Sequence, residues 1–489
     1  MSTATQEIQR ALPRRRRMLI LAICSMSVLI VSLDTTIVNV ALPAIHHSLK
    51  APLSGLQWTI DAYTLVIASL LMLAGSTGDR VGRKRIFSLG LVVFTVGSGL
   101  CAAAPTLGFL VAARAIQAVG GSMLNPVAMS IIRNVFEDAR ERAQAIGVWA
   151  AMVGISLALG PVLGGGLVDT VGWRFVFLVN LPIGIAALGL TRLFVPESRA
   201  EQPRRIDPVG QVLVILALAS LVYAIIEGQP RGWSSPEILG LFALSLIAFA
   251  VLIGYELRRT EPLLELRFFR SVPFSGASAI AICAFAALGG YLFLNTLYLQ
   301  DVRHLSAFHA GLYTLPIAAM ALVLAPLSGR LVGRRGPRLP LVGAGLGMTV
   351  SPLLLTGLAP DTPVALLLGS YVLFGVGFGL VNPPITNTAL SGMPAAQAGV
   401  AAAVASTSRQ VGQTLGIAVM GAVAGAGAGS TFGPGFAAAT HPVWWIIALL
   451  GLTILVIGLF TTGAWARTTA RANGAALASG GATAPEGGH

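Results

Sequence analysis

Apolar stretches close to the roughly 20 residues that a hydrocarbon layer of about 30 Å demands recur along nearly the whole chain. They fall at residues 18–41, 56–78, 86–105, 108–131, 143–168 and 174–194, then at 208–226 and 237–256, and then at 274–298, 308–329, 339–358, 364–388, 400–426 and 443–465. The pattern predicts an all-α integral membrane protein with fourteen transmembrane helices arranged six, two, six. It also divides the chain into a basic N-terminal tail (1–17), an N-terminal six-helix bundle (18–200), a two-helix insert with its linkers (201–272), a C-terminal six-helix bundle (273–467) and a tail (468–489). The two tails have little apolar surface to bury and are expected to be disordered. The first apolar run is too long for a cleaved signal peptide, and no small-residue cleavage site closes it.

Charge then orients the spans. With 55% hydrophobic and only 10% charged residues among 489, against about 25% charged in a soluble domain, the net charge of +13 has to be read by loop. Alternate loops on one side hold 27 of the 32 Lys and Arg, the other side holds Lys50, Arg174, Arg231 and Arg303, and Arg114 lies inside a span. Positive charge collects on the cytoplasmic side, so both termini are expected in the cytoplasm, and a nucleic-acid role is not needed to explain the charge.

Other chemistries lose their footing on inspection of single residues. Cys24, Cys101 and Cys283 sit in separate apolar runs, without the spacing of a disulfide framework or a zinc site. Neither Lys50 nor Lys84 follows a glycine, which rules out a GxxxxGK[ST] phosphate loop and with it an ATP-driven pump on one chain. No GxSxG, HExxH or CxxC occurs, so neither an enzyme nor a bound cofactor or metal is expected. A repeat is visible instead: Gly75, Asp79, Arg80, Gly82 and Lys84 align at a constant offset of 254 with Gly329, Gly333, Arg334, Gly336 and Arg338. Parallel repeats around a midplane site are a common plan of secondary transporters.

The segment from Gly75 through Asp79, Arg80, Gly82, Arg83 and Lys84 to Arg85 resembles the loop signature between the second and third spans of the major facilitator superfamily. Leu33-Asp34 through Asn39 to Pro43, Arg114-Ala-Ile-Gln117, and the antiporter-like Gly160-Pro161-Val-Leu-Gly164-Gly165 carry the likeness further. Together with fourteen spans they resemble the fourteen-spanner drug:proton antiporter branch, which contains quaternary-ammonium and methylenomycin exporters. Ala118 where that family usually has glycine, and Gly333 in place of an acid, depart from the pattern. The resemblance implies a multi-pass protein of the cell inner membrane, functional as a monomer. It would exchange protons for lipophilic, cationic drugs or toxic compounds from the cytoplasm by alternating access, as in multidrug efflux and antibiotic resistance. A dedicated exporter of one endogenous natural product or lipid, and a non-transporting membrane sensor or scaffold, remain open beside it.

Within that reading Asp34, Asp61 and Arg114 are the candidates for proton or cation coupling. A charge inside hydrocarbon is costly unless it faces a partner or a cavity. At about 1.5 Å rise per residue all three lie roughly 6–9 Å to the external side of their span centres, in one layer. Burial disfavours an ionised carboxylate and a neighbouring cation favours it, so a moving Arg114 can switch Asp34; the alternative is a permanent structural ion pair. Gly75, Asp79, Arg80, Gly82, Arg83 and Lys84 are expected to form a gating loop, with Asp79 against the positive end of a neighbouring helix, rather than a purely topological basic loop. Gly160, Pro161, Gly164 and Gly165 would allow close packing and a bend in the fifth span. Asn39, Trp149, Met152, Tyr291, Asn295 and Tyr298 are candidates for a substrate-facing wall, although aromatic residues in spans are more often core.

Overall fold

Each long apolar run becomes a helix, because in a bilayer only a helix satisfies its own backbone donors and acceptors within one segment. The computed structural model describes residues 13–201, 206–259, 261–394, 397–428 and 434–480, and among these there is no strand. The long helices in chain order are α1 (Arg14–Leu49), α2 (Leu53–Val81), α3 (Arg83–Ala102), α4 (Leu107–Val135), α5 (Ala139–Thr170) and α6 (Asn180–Phe194). They continue with α7 (Pro208–Arg231), α8 (Pro236–Glu256), α9 (Val272–Leu297), α10 (Ala307–Arg335), α11 (Arg338–Leu353), α12 (Val364–Ala389), α13 (Ala398–Ala428), α14 (His441–Thr461) and α15 (Ala464–Gly480). Twelve helices among the described residues are long and apolar enough to cross a membrane. Not among the twelve are α11, which is 16 residues long, α13, whose middle carries Ser406 to Gln410 followed by Gln413 and Thr414, and α15, which is 17 residues long.

The chain divides into two compact units, one comprising described residues within 1–51, 70–206 and 306–312, the other those within 52–69, 207–305 and 313–489. In the first, α1 packs along α5, and α3 along α4 and α6. The α3–α4 approach is close enough that a Cβ on Gly97 would lie 2.5 Å from the Gln117 Cα, so the side chains beside it are brought into register. In the second unit α9 lies along α13, and α11 against α12 and α14. Here Gly416 does the same service against Ala286, whose Cα a Cβ would meet at 2.5 Å. The inserted helices α7 and α8 pack on each other, and α7 also lies on α13. Leu65 of α2 joins Leu218, Val222 and Ile226 of α7 and Ala418 of α13 in one apolar cluster.

Three expectations change. The basic run at Arg14 to Arg17 is the first turn of α1 rather than part of a disordered tail; residues 1–12 lie outside the described residues. Arg17 is drawn in by Glu141 at 2.6 Å and by the ring of Phe136 at 5.9 Å. At the other end, 468–480 are helical, as part of α15, while 481–489 lie outside the described residues. Alanine is the strongest helix former, and this helix is anchored where the Asn473 amide donates to the Arg267 carbonyl (3.1 Å) and the Thr469 hydroxyl accepts from the Val272 amide (3.2 Å). Arg409, counted above with the basic loops, lies inside α13 and donates to the Thr386 hydroxyl at 2.7 Å.

Candidate coupling site

In the first unit α1, α3, α4 and α6 each contribute one or two polar side chains to a single buried knot. Arg114 donates to Asp34 Oδ2 at 2.5 Å and to Gln117 Oε1 at 2.7 Å. Gln117 in turn donates from Nε2 to Asp34 Oδ1 and to the Ser98 hydroxyl, each at 2.7 Å. Asn180 Nδ2 completes the shell, donating to Asp34 Oδ1 at 3.0 Å. Asp34, Ser98, Arg114, Gln117 and Asn180 are all 0% exposed, and the Arg114 guanidinium stands 5.7 Å from the Phe177 ring centre. The i, i+3 spacing of Arg114 and Gln117 puts both on one face of α4. The Gly97 contact then sets that face against Ser98. The Asp34 carboxyl group therefore accepts from a cation and two side-chain amides.

Asp34 and Arg114, paired from the sequence by depth and resemblance, are thus in direct contact. Ser98 and Asn180 were not anticipated; a neutral polar side chain inside an apolar span, as Asn180 is just before Leu181-Pro182, is the available signal. Asp61 belongs to the second unit, where it is also 0% exposed. Its Oδ1 accepts from the Thr64 hydroxyl at 3.2 Å, and Thr414 of α13 donates to that hydroxyl at 2.9 Å. Asp61 Oδ2 has no hydrogen-bond partner among the described residues. One carboxylate is caged and the other holds a spare acceptor.

The glycines of Gly160-Pro161-Val-Leu-Gly164-Gly165 face two ways. A Cβ on Gly160 would lie 2.7 Å from Thr36 Cβ, and one on Gly164 at 2.7 Å from Ile37 Cγ1, so this face of α5 lies on α1 just past Asp34. A Cβ on Gly165 would lie 2.6 Å from Phe308 Cα on the other side. Asp169, one turn further, accepts from the Ala307 and Phe308 amides at 3.1 and 2.9 Å and so caps the start of α10. Asp169 had not been singled out.

At the loop between α2 and α3, Asp79 lies against Arg83 at 2.8 Å instead of against a helix start. The N-terminal end of α3 is taken by Glu197, whose carboxylate accepts from the Lys84 amide at 3.1 Å, as negative groups do at helix N-termini. Gly82 has φ +134° and a Cβ there would meet the Glu197 carboxyl carbon at 2.9 Å, so both conformation and space ask for glycine. Its repeat mate Gly336 also has positive φ, +80°. The segment after α6 is stitched to this loop, Arg83 N donating to the Ser198 carbonyl at 2.9 Å and Ala200 N to the Asp79 carbonyl at 3.0 Å. The Arg80 side chain forms no hydrogen bond or ion pair among the described residues, and a Cβ on Gly75 would lie 3.5 Å from Pro126 Cβ, in ordinary contact.

The six wall candidates are divided. Asn39, Trp149 and Met152 belong to the first unit, with Trp149 and Met152 partly exposed and Asn39 Nδ2 turned back onto the Thr35 carbonyl at 2.9 Å. Tyr291, Asn295 and Tyr298 are inside the second unit, at most 1% exposed. Tyr291 shares a hydrogen bond with the Ser370 hydroxyl (2.8 Å), Tyr371 donates to Asn295 Oδ1 (2.6 Å), and Tyr298 donates to the Ala359 carbonyl (2.7 Å).

A buried ionic cage within a bundle of membrane-length helices, together with a glycine-lined helix crossing, defines a polytopic transport protein. Residues 24–417 match the family model of the Major Facilitator Superfamily, and the chain belongs to that family: it is a multi-pass transporter of the plasma membrane, not an enzyme. It is 38% identical over 420 residues to the "Multidrug resistance protein Stp" of Mycobacterium tuberculosis, covering 86% of this chain and 78% of that one. To the "Tetracenomycin C resistance and export protein" of Streptomyces glaucescens it is 37% identical over 421 residues, with the same coverage of 86% and 78%. Among solved structures its fold is similar to a POT family transporter in complex with 5-aminolevulinic acid, with a TM-score of 0.68 at 14% identity over 90% of this chain and 96% of that one. It is also similar to the xylose transporter XylE from E. coli, with a TM-score of 0.63 at 16% identity over 91% and 97%.

Proposed function

We propose that the protein is a proton-coupled antiporter that exports lipophilic, cationic compounds from the cytoplasm by alternating access. The observation that carries the reading is the caged carboxylate: Asp34, fully buried in a membrane helix, bound to Arg114, Gln117 and Asn180. An ionisable group at that depth is a functional candidate by default, and the relative named for multidrug resistance supports drugs as the exported compounds. In the cycle we propose, an incoming proton neutralises Asp34, Arg114 loses its anionic partner, and the altered cage favours the other orientation of the transporter. Asp61, with its spare acceptor, is assigned to the cationic substrate. The loop at Gly75 to Lys84 acts as the gate, and the Gly160 to Gly165 crossing limits leak. We further propose fourteen spans with both ends cytoplasmic, two six-helix bundles at 18–200 and 273–467 joined through the 201–272 insert, and a monomer as the working unit. Of the wall candidates, Trp149 and Met152, partly exposed, and Asn39 of the same unit are retained as proposed substrate contacts of the first unit, while Tyr291, Asn295 and Tyr298, bonded inside the second, are assigned to packing.

A second reading, a dedicated exporter of one natural product, is favoured by the relative named for tetracenomycin C export. One experiment separates the two: transport by the purified chain in proteoliposomes, with an imposed pH gradient and a panel of dyes, cations and neutral polyketides. Gradient-dependent flux of several unrelated cations supports the first reading. Flux of one neutral compound class supports the second, and no gradient-dependent flux of any compound overturns both.

A further inference from the structure

Beside the α2–α3 loop the first unit carries a recess of about 460 Å³ between the start of α3 and the end of α6. Lys84, Arg85, Arg192 and Glu197 form its polar rim, and Leu89 and Val92 its apolar wall. Three cations face one acid. The acid is already committed, since Glu197 accepts from the Lys84 and Ser198 amides at 3.1 Å each and stands 3.6 Å from Arg85. Lys84 Nζ spends one donor on the Arg192 carbonyl at 2.8 Å. The Arg192 side chain, exposed, forms no hydrogen bond or ion pair among the described residues, so its guanidinium donors are available to a ligand. Both charge and donor count ask for an anion with several acceptor oxygens.

The apolar side of the recess continues along the helices. On α3, Leu89 (47% exposed) and Val96 (55%) lie either side of Val92 at i, i+3 and i+7 spacing, which is one helical face. On α6 the face of Arg192 includes Gly189 and Ile185 one and two turns earlier; Ile185 is 62% exposed, and no atom lies within 4 Å of a Cβ on Gly189. A soluble anion has no use for such an aliphatic strip, whereas a lipid requires it. Basic pockets between membrane helices at the cytoplasmic boundary suit anionic head groups.

We propose that this recess is a binding site for an anionic glycerophospholipid of the phosphatidylglycerol or cardiolipin class. The phosphate diester sits among Lys84, Arg85 and Arg192, and an acyl chain lies along the Leu89–Val96 face and over Gly189. Because Lys84 and Arg85 begin the helix that Glu197 caps, an occupied site holds the loop and the segment after α6 together. The proposal depends on the recess lying at the membrane boundary and not on the identity of any exported compound.

The test is lipid retention by the purified full chain, measured by native mass spectrometry during titration with palmitoyl-oleoyl phosphatidylglycerol, with phosphatidylcholine of the same chains as comparison. Wild type is expected to retain phosphatidylglycerol preferentially. Arg192→Gln should weaken retention about fivefold and Arg85→Gln with Arg192→Gln about 25-fold, from the ordinary contribution of a basic residue near an anionic surface; Arg192→Lys should restore most of it. Arg270→Gln, an exposed arginine outside the recess, should change nothing. Equal retention of both lipids, an unaffected double variant, or an equal loss in Arg270→Gln would overturn the site. Displacement of the lipid by millimolar glycerol phosphate would show a soluble-anion site instead and would overturn the lipid assignment.

Discussion

Neutralising Asp34 separates a coupling role from a structural one if it is done twice, alone and together with Arg114. In Asp34→Asn the side chain keeps its shape, and Gln117 and Asn180 can still reach it. Arg114, 0% exposed, loses the carboxylate at 2.5 Å, and the neutral Gln117 Oε1 at 2.7 Å does not replace its charge. Leaving one member of a buried ion pair uncompensated costs about 3–5 kcal/mol, or about two to four powers of ten in the folded-to-unfolded ratio at about 1.4 kcal/mol per tenfold. Asp34→Asn/Arg114→Gln removes the stranded charge as well, and neutral replacements of buried pairs are often tolerated. Thermal unfolding in detergent should therefore show a large drop for the single variant and recovery for the double. Drug-evoked proton movement in proteoliposomes should be lost in both, and partly kept in Asp34→Glu. If the double variant regains proton-coupled efflux along with its stability, Asp34 is a structural ion and the coupling argument is wrong.

The spare acceptor of Asp61 makes a sharper claim about charge: Asp61→Asn should impair efflux of divalent cations far more than that of monovalent ones, since one cationic group is left unpaired, and a side-by-side assay with equal losses would refute it. At the loop, Gly82→Leu forces an L side chain into φ +134° against Glu197, whereas Glu197→Gln keeps the space but removes the charge facing Arg85. Turnover should fall strongly in the first and modestly in the second, with drug binding by fluorescence unchanged in both; loss of binding would make the loop part of the substrate site.

The helical nature and placement of the apolar runs were legible because hydrocarbon admits few alternatives: the runs at 18–41 and 86–105 lie within helices Arg14–Leu49 and Arg83–Ala102, whereas the number that cross is twelve by length and composition among the described residues rather than the fourteen expected. The repeat at offset 254 was equally plain, since Gly82 and Gly336 answer the same backbone demand. Terminal boundaries were less so. Residues 468–480 read as part of a disordered tail, yet alanine needs only an anchor such as Asn473 on the Arg267 carbonyl to settle as helix. Asp34 and Arg114 stood out individually because charge in an apolar span is rare. The sequence could not say that Gln117, Ser98 and Asn180 would complete their cage. Those residues lie up to 146 positions from Asp34, and their meeting depends on helix rotation set by close contacts such as Gly97 on Gln117. Likewise the acid at the start of α3 turned out to be Glu197, 113 positions from Lys84, and not the neighbouring Asp79. The bilayer imposes helices on each segment locally. Which polar atoms share one buried volume is decided only when the helices pack, because an unpaired donor or acceptor there is costly wherever in the chain its partner lies.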